Sequence, residues 1–97
     1  MRFDWDEAKN KRNLQKHGVS FELASLVFED PHNLSIRDEA CETEERWLTT
    51  GSVNGVLILL VVHTWEEENH EEIFRIISAR KAPQADREAY ENQYKKL

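Results

Sequence analysis

Hydrophobic and polar positions recur with two different spacings along the chain, and the spacing changes where one predicted element ends and the next begins. Residues 2–5 alternate polar and apolar side chains, as a short strand does. Residues 6–17 are good helix formers without proline, Asp4 or Asp6 can cap their start, and Gly18 suits a left-handed cap at their end. The chain is therefore predicted to open with a strand followed by a helix.

A second helix is predicted after Ser20, which can act as its N-cap with Glu22 in the first turn. Apolar residues then recur at helical spacing until the Asp30-Pro31 step ends the pattern. The residues of this apolar face are Phe21, Leu23, Ala24, Val27 and Phe28.

Strand-like segments follow, because apolar and β-branched residues become frequent and the helical spacing disappears. We predict a hairpin loop at residues 51–55, a segment that begins and ends with glycine, and an exposed acidic turn at residues 66–72. The predicted strands are 34–37, 46–50, 57–65 and 73–80.

A final helix is predicted from Pro83, since proline is well tolerated in a first helical turn. Tyr90, Tyr94 and Leu97 are spaced i, i+4, i+7 and form a stripe that can dock this helix. The order of elements predicts one α+β domain over residues 1–97, with an antiparallel meander sheet, two N-terminal helices and one C-terminal helix. We expect the helices on one face of the sheet and a ligand on the other.

The length and composition of the chain restrict the classes of function that it can have. A chain of 97 residues can bury a modest core but not a deep cofactor pocket as well. No secretory signal is visible, and the apolar run at 56–62 is too short to span a membrane. The single cysteine, Cys41, excludes an internal disulfide and fits a reducing cytoplasm. Its acidic neighbours are expected to raise the pKa of its thiol, which argues against a catalytic role.

The net charge of −6 argues against simple nucleic-acid binding, but the charge is unevenly distributed. It is +2 over residues 1–18, −7 over 19–45, −4 over 46–72 and +3 over 73–97. A fold that joins the two ends would concentrate positive charge on one face.

No strong enzyme motif is present, neither a glycine-rich phosphate loop nor a nucleophile elbow. The histidines lack metal-binding spacing, so no metal site and no cofactor are predicted. What remains is a set of cations and histidines, beginning with Lys9, Arg12 and Lys16, which form one basic ridge on the first helix. A plain solvated helix face is the alternative interpretation of that ridge.

Other candidates also have structural alternatives. His17 ends the first helix, where an imidazolium can stabilise the helix dipole. His63 can be a hydrogen-bonded core residue, Arg46 can pair with Glu44 or Glu45, and Tyr90 and Tyr94 can serve packing alone.

Arg75 and Arg80 lie five residues apart on one strand, so a regular strand would place them on opposite faces. Arg80, beside Lys81 at the strand end, is the better candidate for the ligand face. Arg75 is expected to pair with the Glu-rich turn.

These residues together resemble a known family. The segments FDWDEAKNKRNLQKHGVSFELA, EERW, VVHT and RIISARKA, followed by a helix with Glu and Tyr, resemble the BrnT toxins of type II toxin–antitoxin pairs. The resemblance covers almost the whole chain, and its most specific part spans Trp5 to Phe21.

The resemblance implies a compact RelE-like fold, metal-independent RNA cleavage and arrest of translation. It also implies a BrnA-like ribbon-helix-helix antitoxin, in a two-toxin, two-antitoxin complex that binds operator DNA through the antitoxin. At matching positions it singles out Lys9, Lys16, His17, Arg46 and Arg80. The overall acidity departs from what is usual for toxins that act on RNA.

The resulting hypothesis is RNA cleavage by attack of the 2′-hydroxyl on the adjacent phosphorus. Arg46 and Arg80 would bind the scissile phosphate, and His17, with His63 in reserve, would transfer protons. Lys9, Arg12, Lys16 and Lys81 would bind RNA around the site. A non-catalytic toxin that only binds its antitoxin, and a small transcription adaptor, are the alternatives.

Overall fold

The computed structural model describes the backbone of residues 1–95 and the side chains of residues 1–93. The predicted docking contacts of the Tyr94 side chain and of Leu97 lie outside these residues. The strands are β1 Arg2–Asp4, β2 Leu34–Arg37, β3 Trp47–Val53, β4 Leu57–His63, β5 Glu66–Glu68 and β6 Glu71–Lys81. The helices are α1 Glu7–His17, α2 Phe21–Ser25, a 3₁₀ turn Leu26–Glu29, and α3 Gln84–Lys95.

The predicted helix caps are confirmed. Asp6 accepts hydrogen bonds from the backbone N–H groups of Ala8 and Lys9, and Ser20 accepts one from Leu23. Gly18 ends α1 in the left-handed conformation with φ of 71°. The second helix is shorter than predicted, because after Ser25 the chain tightens into the 3₁₀ turn before Asp30.

The sheet is mixed, which corrects the expected antiparallel meander. Its order is β1-β6-β4-β3-β2, and β5 pairs with the beginning of β6. The strands β2, β3, β4 and β6 are antiparallel neighbours, but β1 runs parallel to β6, with Arg2 opposite Ile73. Phe3 of β1 stacks on Phe74 and contacts Phe28, so aromatic packing holds β1 at this edge.

Helices lie on both faces of the sheet, not on one as expected. The first two helices and the 3₁₀ turn cover the core face, where Phe21, Ala24 and Val27 pack with residues such as Val61 and Ala79. On the other face, α3 packs over β3. The hydroxyl of Tyr90 donates a hydrogen bond to Asp30, which also accepts from Ser52. The second face therefore remains open mainly over β4 and β6.

Two predicted turns differ from the structure. The β3–β4 hairpin turns at Asn54-Gly55, whose φ values of 55° and 70° are typical of a type I′ turn, and β3 continues through Gly51. The acidic segment 66–72 is not only a turn, because β5 pairs with β6 around Asn69-His70. Glycine at position 51 thus serves packing, not chain reversal.

We predict that Gly51→Ala destabilises the protein by about 1–3 kcal/mol, because a Cβ atom at this position overpacks the core. That atom would lie 2.7 Å from Cγ1 of Val27 and 3.2 Å from its carbonyl oxygen. Urea unfolding measures the loss. The control is Gly55→Asn. A Cβ atom at position 55 would meet no other atom, and asparagine tolerates the positive φ found there, so this change should cost less than about 1 kcal/mol. Equal effects of the two changes would contradict the assignment.

Candidate nucleic-acid interface

Two adjoining depressions run between α1 and β6, and they share Lys9 and Ile77. We call them together the basic groove, because five cationic side chains and two acidic ones line them. The lining residues of the first are Asp6, Lys9, Glu44, Arg46, Arg75, Ile76 and Ile77, and those of the second are Lys9, Arg12, Asn13, Lys16, His17, Ile77 and Ser78.

The predicted ridge of α1 forms one side of this groove. Lys9, Arg12 and Lys16 are all exposed and all line it, and His17 is half-buried at the end of the helix. The ridge therefore borders the groove beside the sheet edge, and its side chains remain exposed to solvent. A chain with a net charge of −6 carries a locally positive concave surface here.

Two buried asparagines hold α1 in this position. The amide of Asn13 pairs with the backbone of Ala79 in both directions, donating to its carbonyl at 2.8 Å and accepting from its N–H at 3.2 Å. It also donates to the carbonyl of Val19. Asn10 accepts from the N–H of Phe21 at 2.8 Å and donates to Glu22.

These asparagines were not among the residues predicted to shape the site. A usable signal was present, since Asn10 and Asn13 stand at i, i+3 where an amphipathic helix usually has apolar residues.

On the opposite side of the groove, Glu44 bridges two arginines. Its Oε1 lies 2.9 Å from Nε of Arg46, and its Oε2 lies 2.8 Å from an Nη atom of Arg75. The hydrogen bond from Arg46 and the charge of Arg75 hold the pKa of the Glu44 carboxyl below its usual range. The pairing of Arg46 with Glu44 was one of the predicted alternatives. Arg75 pairs with Glu44 and not with the Glu-rich turn.

Arg75 and Arg80 lie on the same face of the sheet, contrary to the parity expectation. The register places His63 opposite Ile76 but Val62 opposite Ser78, so β6 contains an extra residue at Ile77. This bulge restores the two arginines to one face. Arg80 and Lys81 are exposed at the end of β6 and do not line the basic groove. Arg46 and Arg80 therefore do not lie together in the basic groove.

His63 is not at the surface. It is fully buried, its ring packs edge-on against Phe28, and its Nδ1 lies 2.9 Å from the carbonyl oxygen of Thr64. Because that oxygen only accepts, Nδ1 carries the proton, and Nε2 accepts from the hydroxyl of Thr49 at 2.6 Å. Burial lowers the pKa of His63, which keeps the ring neutral. The core alternative for His63 is the one that the structure supports.

Cys41 also differs from expectation. The backbone N–H of Glu44 and the hydroxyl of Thr43 lower the pKa of its thiol, because these hydrogen-bond donors stabilise the thiolate. Among the residues that the structure describes, no group of three His, Cys, Asp or Glu side chains can hold a metal ion. None of the described helices is long and apolar enough to cross a membrane.

A mixed sheet with a groove of cationic side chains along one edge defines a small α+β protein with a locally basic surface. Comparison with known proteins identifies the family to which this protein belongs. A model of the family described as "Ribonuclease toxin, BrnT, of type II toxin-antitoxin system" matches residues 5–86. The chain therefore belongs to the BrnT family and is a ribonuclease toxin of a type II toxin–antitoxin system.

A solved structure agrees with this assignment. The crystal structure of the ribonuclease toxin BrnT from Brucella abortus superimposes with a TM-score of 0.64 at 32% sequence identity. The match covers 87% of this chain and 99% of the Brucella chain. A search of curated protein sequences gives no match.

We predict that Asn13→Leu destabilises the protein by about 3 kcal/mol, because it leaves backbone groups of Ala79 and Val19 without partners. Urea unfolding measures the loss, and hydrogen exchange of the Ala79 amide should become faster. Gln15→Leu, on the exposed side of the same helix, is the matched control and should change stability by less than about 0.5 kcal/mol. Unchanged exchange at Ala79 would rule out this role for Asn13.

We predict that the free energy of unfolding decreases as the pH falls below about 6.5, the ordinary pKa of histidine. Because the pKa of His63 is lowered in the folded state, only the unfolded chain takes up a proton at this site in that range. Urea unfolding at about pH 7.5 and 5.5 measures the decrease. His63→Leu should remove it, although that change lowers stability at both pH values, whereas His70→Asn in the exposed turn should retain it. Parallel pH curves for wild type and His63→Leu would contradict this.

Proposed function

We propose that the basic groove is where this toxin binds and cuts RNA, without a metal ion. The observation that supports this most directly is the set of cations from distant parts of the chain that line one groove of an acidic protein. Phosphate contacts supply most of the sequence-independent affinity for nucleic acid, and local positive charge is what such contacts require.

In the proposed reaction the 2′-hydroxyl oxygen attacks the adjacent phosphorus, and the bond from phosphorus to the 5′-oxygen breaks. The products are a 2′,3′-cyclic phosphate and a free 5′-hydroxyl. The protein must align the attack, move one proton from the 2′-oxygen and one to the 5′-oxygen, and stabilise charge on the phosphoryl oxygens.

We assign Arg46 to the scissile phosphate, since its planar guanidinium is permanently charged and lies in the groove. His17 is the candidate for proton transfer because it is the histidine that lines the groove. Lys9, Arg12 and Lys16 would hold flanking phosphates. Arg80 and Lys81, farther along β6, would contact RNA beyond the site of cleavage, which replaces the expected pairing of Arg80 with Arg46.

The partner is proposed to be a BrnA-like antitoxin of the ribbon-helix-helix class. Such antitoxins dimerise, so the proposed complex contains two toxins and two antitoxins and binds operator DNA through the antitoxin. We further propose that the protein acts in the cytoplasm as one domain over residues 1–97, and that this domain has a RelE-like fold.

We predict that the purified protein cuts RNA in the presence of EDTA and leaves 2′,3′-cyclic phosphate ends. Arg46→Ala should lower the cleavage rate about a hundredfold, the equivalent of about 3 kcal/mol of transition-state stabilisation. Lys9→Ala should instead weaken RNA binding and reduce the dependence of log K on log salt concentration by about 0.7. End mapping, single-turnover rates and binding at several salt concentrations measure these effects.

Lys11→Ala is the matched control for this experiment. Lys11 lies on the same helix as Lys9 and is exposed, but it does not line the basic groove. If Lys11→Ala and Lys9→Ala weaken RNA binding equally, the groove is not the binding surface. If the protein binds its antitoxin but cuts no RNA, the non-catalytic alternative replaces this proposal.

A further inference from the structure

The contact between Glu44 and the two arginines joins parts of the chain that are far apart in sequence. Arg46 directly precedes β3, Arg75 lies on β6, and Glu44 belongs to the nine-residue connection between β2 and β3. That connection is closed at its base by a backbone hydrogen bond of 2.8 Å from Asp38 to Arg46. Its acidic residues are Asp38, Glu39, Glu42, Glu44 and Glu45.

Both guanidinium groups therefore converge on one small anion. Each donates to a different oxygen of the same carboxylate, at 2.9 and 2.8 Å. A phosphodiester also presents two anionic oxygens on one central atom, and arginine forks bind carboxylates and phosphates with the same geometry. The place that Glu44 fills is thus suited to one backbone phosphate.

We propose that Arg46 and Arg75 form a two-arginine phosphate site in the basic groove, and that Glu44 occupies this site in the free protein until an RNA phosphate displaces it. The inference rests on the proposed RNA cleavage in this groove, and it adds a second arginine and an internal competitor to that site.

The exposure of the three side chains makes such an exchange feasible. The side chains of Glu44 and Arg46 are about one-third exposed and that of Arg75 is about half exposed, at 33%, 34% and 52%. Ion pairs this open to water contribute little to stability, so a polyanion that makes several contacts at once can replace the carboxylate. Glu44 also keeps two like-charged guanidinium groups close together while RNA is absent.

A role for Glu44 as general base is less consistent with these contacts. Both of its oxygens already accept charge-assisted hydrogen bonds, and the arginines favour its ionised form. A carboxylate with a lowered pKa is a weak proton acceptor. The two roles make opposite predictions for removal of the charge.

We predict that Glu44→Gln tightens phosphate binding about tenfold, the gain expected if Glu44 fills the site about nine-tenths of the time. Titration with inorganic phosphate, followed through the Nε–H resonance of Arg46 in ¹⁵N NMR spectra, measures the affinity without any cleavage step. Short single-stranded RNA should follow the same trend. Arg75→Ala should weaken the binding of both inorganic phosphate and RNA. It should also lower the dependence of log K for RNA on log salt concentration by about 0.7.

Arg37→Gln is the matched control. Arg37 makes a similar exposed ion pair with Glu45, at 3.5 Å, but it does not line the basic groove. Replacing Arg37 by glutamine should leave phosphate binding unchanged. Glu44→Ala provides a second test of the lost charge, and circular dichroism shows whether each variant folds.

The outcomes separate this inference from the proposed function. If wild type cuts RNA but Glu44→Gln and Glu44→Ala bind phosphate no more tightly than wild type does, Glu44 does not compete for the phosphate site. The proposed ribonuclease site is then unaffected. If Glu44→Gln binds RNA tightly but abolishes cleavage, Glu44 acts in catalysis and the competitor role is overturned. If wild type cuts no RNA, the proposed function fails, and a tighter phosphate titration in Glu44→Gln then supports the two-arginine site alone.

Discussion

The fold depends on how α1 attaches to the sheet, and that attachment is the pairing of Asn13 with the backbone of Ala79. Beyond Arg75, β6 has no strand partner on this edge, since β1 pairs only with residues 73–75. An asparagine amide offers one donor and one acceptor, as a peptide group does, so it satisfies the edge in place of a strand. Because α1 docks through polar groups, it needs no broad apolar stripe, and its remaining positions are available for cations.

Much of the fold followed from local pattern. The caps Asp6, Gly18 and Ser20 and the strand segments in the middle of the chain were predicted from spacing and residue type. The errors concern relations between distant segments. Hydrophobic alternation predicts that residues 2–4 form a strand, but it carries no information that this strand runs parallel to β6, some 70 residues later. Local pattern also cannot show that α3 covers the second face.

The candidate site was predicted in the same uneven way. The ridge of α1 is a property of helical periodicity and could be predicted completely. The face of the sheet on which Arg75 lies could not be predicted. It depends on the bulge at Ile77, which has no signature of its own in the sequence. The role of His63 was also ambiguous in the sequence. A histidine late in an apolar strand fits both a core and a catalytic position, and only its partners Thr49 and Thr64 decide between them.

The acidic net charge is compatible with RNA binding once charge is considered over short distances. At physiological ionic strength the field of an exposed charge decays over about 8 Å, so an approaching phosphate responds to the groove and not to the sum over the chain. The glutamates of β5 and of the early part of β6 lie outside the lining of the groove and repel a polyanion elsewhere on the surface. In the proposed complex, such an arrangement would restrict RNA to the groove. In that complex, Glu44, one of the two carboxylates that line the groove, would therefore influence binding more than the larger number of acidic residues outside it.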